Sequence, residues 1–198
     1  METQMSKKTY ILLLPLVVLL AACDSDYQPK PYAYFRITLP PMEYQVTDSL
    51  GPYTTEINVN SHSDSTDAHW STSADKWINL VYPKLNATIH LSYKRITPDQ
   101  LQIVTEESRT LVYKHVIRAD NIIESYYDDT INHVHGVMYE LTGNAASPAQ
   151  FYMTDSVHNF LRGAVYFNSL PNYDSIMPCA AYIENDLVHI IETLRWNK

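Results

Sequence analysis

Glycine is scarce in this chain, with four residues in 198. They are too few and too scattered to build a glycine-rich cofactor loop. Cysteine is scarcer, with Cys23 and Cys179 alone. Basic residues number 14 against 22 acidic ones, a net charge of −8, and they form no cluster. An acidic chain of this kind does not suit nucleic acid as a partner. No apolar run reaches the roughly 20 residues that a membrane-spanning helix needs. What the chain has in quantity is tyrosine, 16 residues within 12% aromatics. Such rings favour half-buried strand positions.

Lys7 and Lys8 precede an apolar stretch from Tyr10 to Ala22, about the length of the hydrophobic part of a secretory signal. Leu20-Ala21-Ala22-Cys23 closes it and matches the bacterial lipobox. There the cysteine thiol is linked to diacylglycerol, the preceding segment is cleaved, and the new N-terminus is usually acylated with a palmitate-type chain. Cys23 is therefore read as the lipidation site and membrane anchor, and residues 1–22 as a lipoprotein signal peptide. Lipidation leaves Cys179 without an intrachain partner, and its apolar setting MPCAAYI predicts a buried free thiol. Residues 23–31 are polar with two prolines and suit a lipid-anchored tether. Residues 32–198 suit one globular domain.

Hydrophobic periodicity lays out the domain. YAYFRITLP predicts a first strand ending at Pro40-Pro41. PYTTEINVN places Tyr53, Thr55, Ile57 and Val59 on one strand face. SHSDSTDAHWSTSAD has almost no aliphatic residues and predicts an exposed loop. KWINLVYP and NATIHLSYK follow as strands around a turn at residues 83–86. Thr97-Pro98-Asp99-Gln100 carries a capping box, and Leu101, Val104, Ser108, Leu111, Val112 and His115 recur at helical spacing, predicting a helix to about Ala119. NIIESYYDD, HVHGVMYELTG, PAQFYMTDS and NFLRGAVYF predict a meander of four strands. A loop with Pro171 and Pro178 leads to a last helix, with Tyr182, Ile183, Leu187, Ile190, Ile191 and Leu194 on its apolar face. The pattern predicts an α+β single domain, a mainly antiparallel β-sheet flanked by two main helices.

The segments WINLVYPKLNATIHLSYK, ESRTLVYKHVIRAD, GNAASPAQFYMTDSVHNFLRGAVYFNSLPNYDS and HIIETLRW, taken in order with the lipobox, resemble the gliding-motility lipoprotein family of Bacteroidota called GldD. The resemblance runs from about Tyr34 to Trp196. It implies a cell-envelope lipoprotein tied to gliding motility and to the type IX secretion system. It carries over no catalytic residue and no cofactor. The order of elements is also similar to the PsbP/Mog1-like fold. The implied partners are the membrane, through the lipid anchor, and envelope proteins of the gliding and type IX secretion machinery. Asp24 and Asp26 leave inner or outer membrane open, with the periplasm favoured over the cell surface.

Candidate chemistry is thin. His133-Val134-His135 places two imidazoles on one strand face, which suits a metal in principle; without a nearby cysteine or a third ligand, no metal site is expected. His62 and His69 lie in the polar loop. Asp155-Ser156-Val157-His158 gathers an acid, a hydroxyl and an imidazole, but triad members ordinarily come from distant positions, and the G-x-S-x-G elbow is absent. The expectation is a non-enzymatic protein. Tyr32, Tyr34, Phe35, Trp77, Tyr82 and Tyr93 are expected in the core, with a ligand groove for a small molecule or glycan as the alternative. Asp-[Ser/Thr]-[apolar or Thr] resembles the O-glycosylation signal of Bacteroidota. It occurs at Ser49, Ser65, Thr130, Ser156 and Ser175, with Ser49, Ser65 and Ser175 expected in loops.

Overall fold

A computed structural model describes residues 37–64, 75–169 and 172–197, all within the second of two compact units, Arg36–Lys198. The signal peptide, Cys23, the tether, Tyr32, Tyr34, Phe35, Ser65 and His69 lie outside the described residues. Ten strands and two α-helices make up the described part: β1 (Tyr44–Thr47), β2 (Tyr53–Asn58), β3 (His62–Asp64), β4 (Lys76–Tyr82), β5 (Ala87–Arg95), α1 (Leu101–Tyr113), β6 (Ala119–Asp129), β7 (Val134–Gly143), β8 (Ala149–Thr154), β9 (Asn159–Phe167), α2 (Tyr173–Thr193) and β10 (Arg195–Trp196). The α+β prediction holds.

Seven strands form one antiparallel sheet in the order β3-β4-β5-β9-β8-β7-β6, and β1-β2-β10 form a second. The predicted meander is β6 to β9. It closes onto the earlier β4–β5 hairpin because β5 pairs with β9 over nine residues, from Ala87↔Phe167 to Arg95↔Asn159. Alternation sorts the large sheet into two faces. Ile78, Leu80 and Tyr82 of β4, Ile89 and Leu91 of β5, Leu161 and Val165 of β9, and Phe151 and Met153 of β8 point one way. They pack with Tyr182, Ile183, Leu187, Ile190 and Ile191 of α2 and with Tyr53 and Ile57 of β2 into the main core. Each fully buried aliphatic side chain stabilises the fold by about 1.5–3 kcal/mol. Gly163 faces Phe151 across the β8–β9 ladder, and a Cβ there would overlap the phenyl ring. α1 covers part of the opposite face. Val112 joins Val137, Tyr139 and Leu141, and Val104 joins Ile96 and Phe160.

Several elements differ from the sequence pattern. Ile37–Pro40 is not a strand and is largely exposed: its apolar residues have no partner strand. The first described strand is instead the exposed β1. Tyr53, Thr55 and Ile57 are buried on one face as expected, whereas Val59 leaves the strand and is 44% exposed. Part of the predicted loop, His62–Asp64, is recruited as β3 by pairing with β4. The capping box is half formed. Gln100 Oε1 accepts the Thr97 N–H at 3.1 Å, but the helix begins at Leu101 and no side chain caps it. α1 ends at Tyr113 and a 3-10 turn, Lys114–Ile117, follows, so β6 starts where the helix was predicted to end. α2 starts at Tyr173, well before its apolar stripe, and takes Pro178 inside it. Proline has no N–H to give a helix, so Pro178, the sixth residue of α2, leaves the Asp174 carbonyl without its usual helical donor.

Candidate functional site

The first half of α1 spans the ends of β6, β7 and β8 and leaves a cleft of about 610 Å³ beside it. Gln102 and Thr105 form its helical wall; Tyr126, Asp128, His135 and Tyr152 form the sheet wall. The register Asp128↔His135 brings that acid and imidazole side by side, and His135 Nδ1 is hydrogen-bonded to Asp128 Oδ1. Tyr152 stacks on Phe160 with centroids 5.4 Å apart, which fixes its ring. Tyr126 is 78% exposed, and its hydroxyl donates to Glu124 Oε2 at 3.1 Å. The cleft thus combines an exposed aromatic face with acceptors and donors at its rim, an arrangement suited to binding.

The predicted residues scatter. His133 adopts φ 53° in the β6–β7 turn, so it leaves the strand and does not share a face with His135. The two imidazoles therefore make no ligand pair, and no group of three or more His, Cys, Asp or Glu suited to a metal exists among the described residues. Cys179 is buried and free, with burial pushing its thiol pKa up. Tyr82 and Tyr93 are in the main core, while Trp77 is 52% exposed. Ser49, Thr130 and Ser156 are exposed, the first two in turns. Ser175 is a correction: it lies in the first turn of α2, half-buried, with its hydroxyl donating to the Asn172 carbonyl at 2.9 Å.

Periodicity also passed over a buried polar cluster. Asp186 of α2 is fully buried. It accepts the Tyr44 hydroxyl at 2.8 Å and the Asn58 amide at 3.0 and 3.1 Å; the same amide reaches the Tyr182 hydroxyl at 2.7 Å. The signal was present: Asp186 falls on the apolar stripe between Ile183 and Ile190, where a carboxylate needs partners.

Compared with family models, the chain matches "Gliding motility lipoprotein GldD" over residues 24–196. The chain belongs to this family. It is accordingly a gliding-motility-associated lipoprotein, membrane-anchored in the cell envelope. No curated protein matches it, and no solved structure matches it, so the PsbP/Mog1-like expectation gains no support. Among the described residues, no helix of this GldD-family domain is long and apolar enough to cross a membrane.

Within that domain, Asp155-Ser156-Val157-His158 is the turn between β8 and β9. Asp155 Oδ1 accepts the backbone N–H groups of Val157, His158 and Asn159 at 2.8–2.9 Å, and Oδ2 accepts the Asn159 amide at 2.6 Å. Both carboxylate oxygens are committed to the turn, so the acid orients no imidazole. Burial pushes its pKa up, but the backbone and side-chain donors outweigh that and hold it below the usual 3.8. Stability from such a group is present above the unfolded value and is lost as pH falls through the folded one. Asp155→Ala strands these donors and is expected to cost about 1–3 kcal/mol. The difference between variant and wild type should shrink in acid, as read by urea unfolding at pH 7 and pH 3. A pH-independent difference would contradict the assignment.

Proposed function

We propose that this GldD-family lipoprotein is a non-enzymatic accessory or assembly component of the gliding motility and type IX secretion machinery. Cys23 holds it to an inner or outer membrane, facing the periplasm. The family match over residues 24–196, which begins directly after the lipobox cysteine, carries this reading. It is further supported by the turn role of Asp155: the acid of the Asp155-Ser156-Val157-His158 sequence is taken up by backbone bonding. The test is a pull-down of the lipidated protein from detergent-solubilised envelopes, beside a Cys23→Ala control. Motility or type IX components should be enriched with the anchored form and depleted in the control. Equal recovery from both, or enrichment of neither, would overturn the reading.

A second reading is a lipid-anchored module that binds a small molecule or glycan in the α1 cleft. The exposed Tyr126 ring beside the Asp128–His135 pair favours it. Sugar rings stack on aromatic faces while their hydroxyls meet planar polar groups. Soluble peptidoglycan fragments should then quench tyrosine fluorescence saturably, and Tyr126→Ala should weaken that binding about tenfold, in line with the 1–3 kcal/mol of a stacked ring. No saturable change with wild type would sink it.

A further inference from the structure

Arg162 stands on β9, on the sheet face that α1 covers only in part. Ser92 of β5 and Tyr152 of β8 flank it in register. Ala164, two residues on, sits between His90 and Gln150. Its small side chain leaves a path along which the guanidinium reaches Gln150. Arg162 Nη2 donates to Gln150 Oε1 at 2.7 Å. That bond fixes the amide, because only the oxygen end can accept. The Nε2 end is therefore a donor, and it has no partner, although Gln150 is 1% exposed. An unmet buried donor is expensive, so its retention beside an arginine points to a ligand rather than to packing.

The charge around Arg162 is one-sided. The ion pairs among the described residues are Arg109–Glu124, His135–Asp128 and His189–Glu56, and none involves Arg162. Burial pulls its pKa down, and the Tyr166 hydroxyl alone acts in the other direction. The guanidinium and the orphan amide donor stand side by side, and no ion pair among the described residues takes up the charge. Half-buried and charged, an arginine fork with unused N–H groups matches the two oxygens of a carboxylate or phosphate.

We propose that Arg162 and Gln150 form a binding site for a small oxyanion, a carboxylate or phosphate group, at the border between α1 and the open half of the sheet. Arg162 grips the ligand, while Gln150 holds the guanidinium in place through Oε1 and offers Nε2 as a further donor. Neither residue lines the Tyr126 cleft, so the site stands or falls independently of that reading.

The experiment measures the melting temperature of the full-length lipidated protein in detergent against rising inorganic phosphate or succinate, with sodium chloride keeping ionic strength constant. A ligand that binds the folded state raises the midpoint in a saturable way. Wild type should respond to at least one anion. The arm that responds tells phosphate from carboxylate. Arg162→Gln should lose the response. Arg162→Lys, which keeps the charge but not the fork, should weaken it about tenfold and serves where the glutamine variant does not fold. No saturable rise with either anion, or an unchanged response in Arg162→Lys, overturns the proposal.

Discussion

Cys23→Ala, placed behind a signal peptide that is cleaved without lipidation, is expected to shift the protein from the membrane pellet to the soluble fraction. The reasoning is additive. Each buried methylene of an acyl chain contributes about 0.8 kcal/mol, one chain alone gives marginal binding, and two or more give a stable anchor. The lipobox at residues 20–23 supplies those chains at a single residue, through the thiol sulfur and the amine that cleavage exposes, so one substitution removes all of them. Little else in the domain would hold it to a membrane. Its net charge of −8 repels anionic headgroups, and none of its described helices spans a bilayer. Fractionation after a carbonate wash, with the intact mass of the wild-type protein, reads the outcome. A Cys23→Ala protein that still pellets would place the anchor elsewhere.

Asp186→Ala should produce the largest loss of stability among single substitutions in the polar cluster, about 2–4 kcal/mol. Removing the carboxylate strands the Tyr44 hydroxyl and one N–H of the buried Asn58 amide, which keeps its bond to Tyr182, and each unmet donor costs about 1–3 kcal/mol. The loss spreads, because Tyr44 is also stacked on His189 at 3.6 Å and holds β1 against α2. Chemical unfolding measures it; a loss below about 1 kcal/mol would mean the cluster is hydrated or relaxes. Burial raises the Asp186 pKa above its usual 3.8, against the opposing bonds from Asn58 and Tyr44. The folded state therefore holds this proton more tightly than the unfolded chain. Its contribution is most favourable below the unfolded value, declines as pH rises through the window up to the folded value, and is flat beyond. Asp186→Asn, which stays neutral, should gain on wild type as pH rises through that window.

The sequence was most legible where one physical cause acted alone. Ile78, Leu80 and Tyr82 alternate because β4 is buried on one face, and period-two patterning shows that directly. β1 was not legible. Its YQVT segment is mostly exposed, and it is a strand because β2 and the Tyr44–Asp186 bond hold it, the second of these causes lying 142 residues away. Pro178 suggested a loop, yet the stripe from Cys179 to Ile191 pays for one missing bond inside α2. At the site, the misreading of His133 and His135 came from one dihedral. Spacing puts them on one face only if both are extended, and the turn held by Asp129, which accepts N–H groups from Ile131 and Asn132, sends His133 into the left-handed region. The Asp128–His135 pair needed the same turn before its register could be known. Arg162 and Gln150 lie 12 residues apart on facing strands, and no local pattern joins them.

The last strand also bears on how the molecule comes into being. β10 pairs with β2 at Arg195↔Thr54 and Trp196↔Tyr53, Thr54 donates to Asn197 143 positions later, and the Trp196 indole donates to the His133 carbonyl at 2.9 Å. β2 is made early and must wait for nearly all the described chain before its second neighbour arrives. Contacts so distant in sequence slow folding, since a long loop must close before they repay it. One edge of β2 therefore stays unpaired until the last residues of the domain are in place.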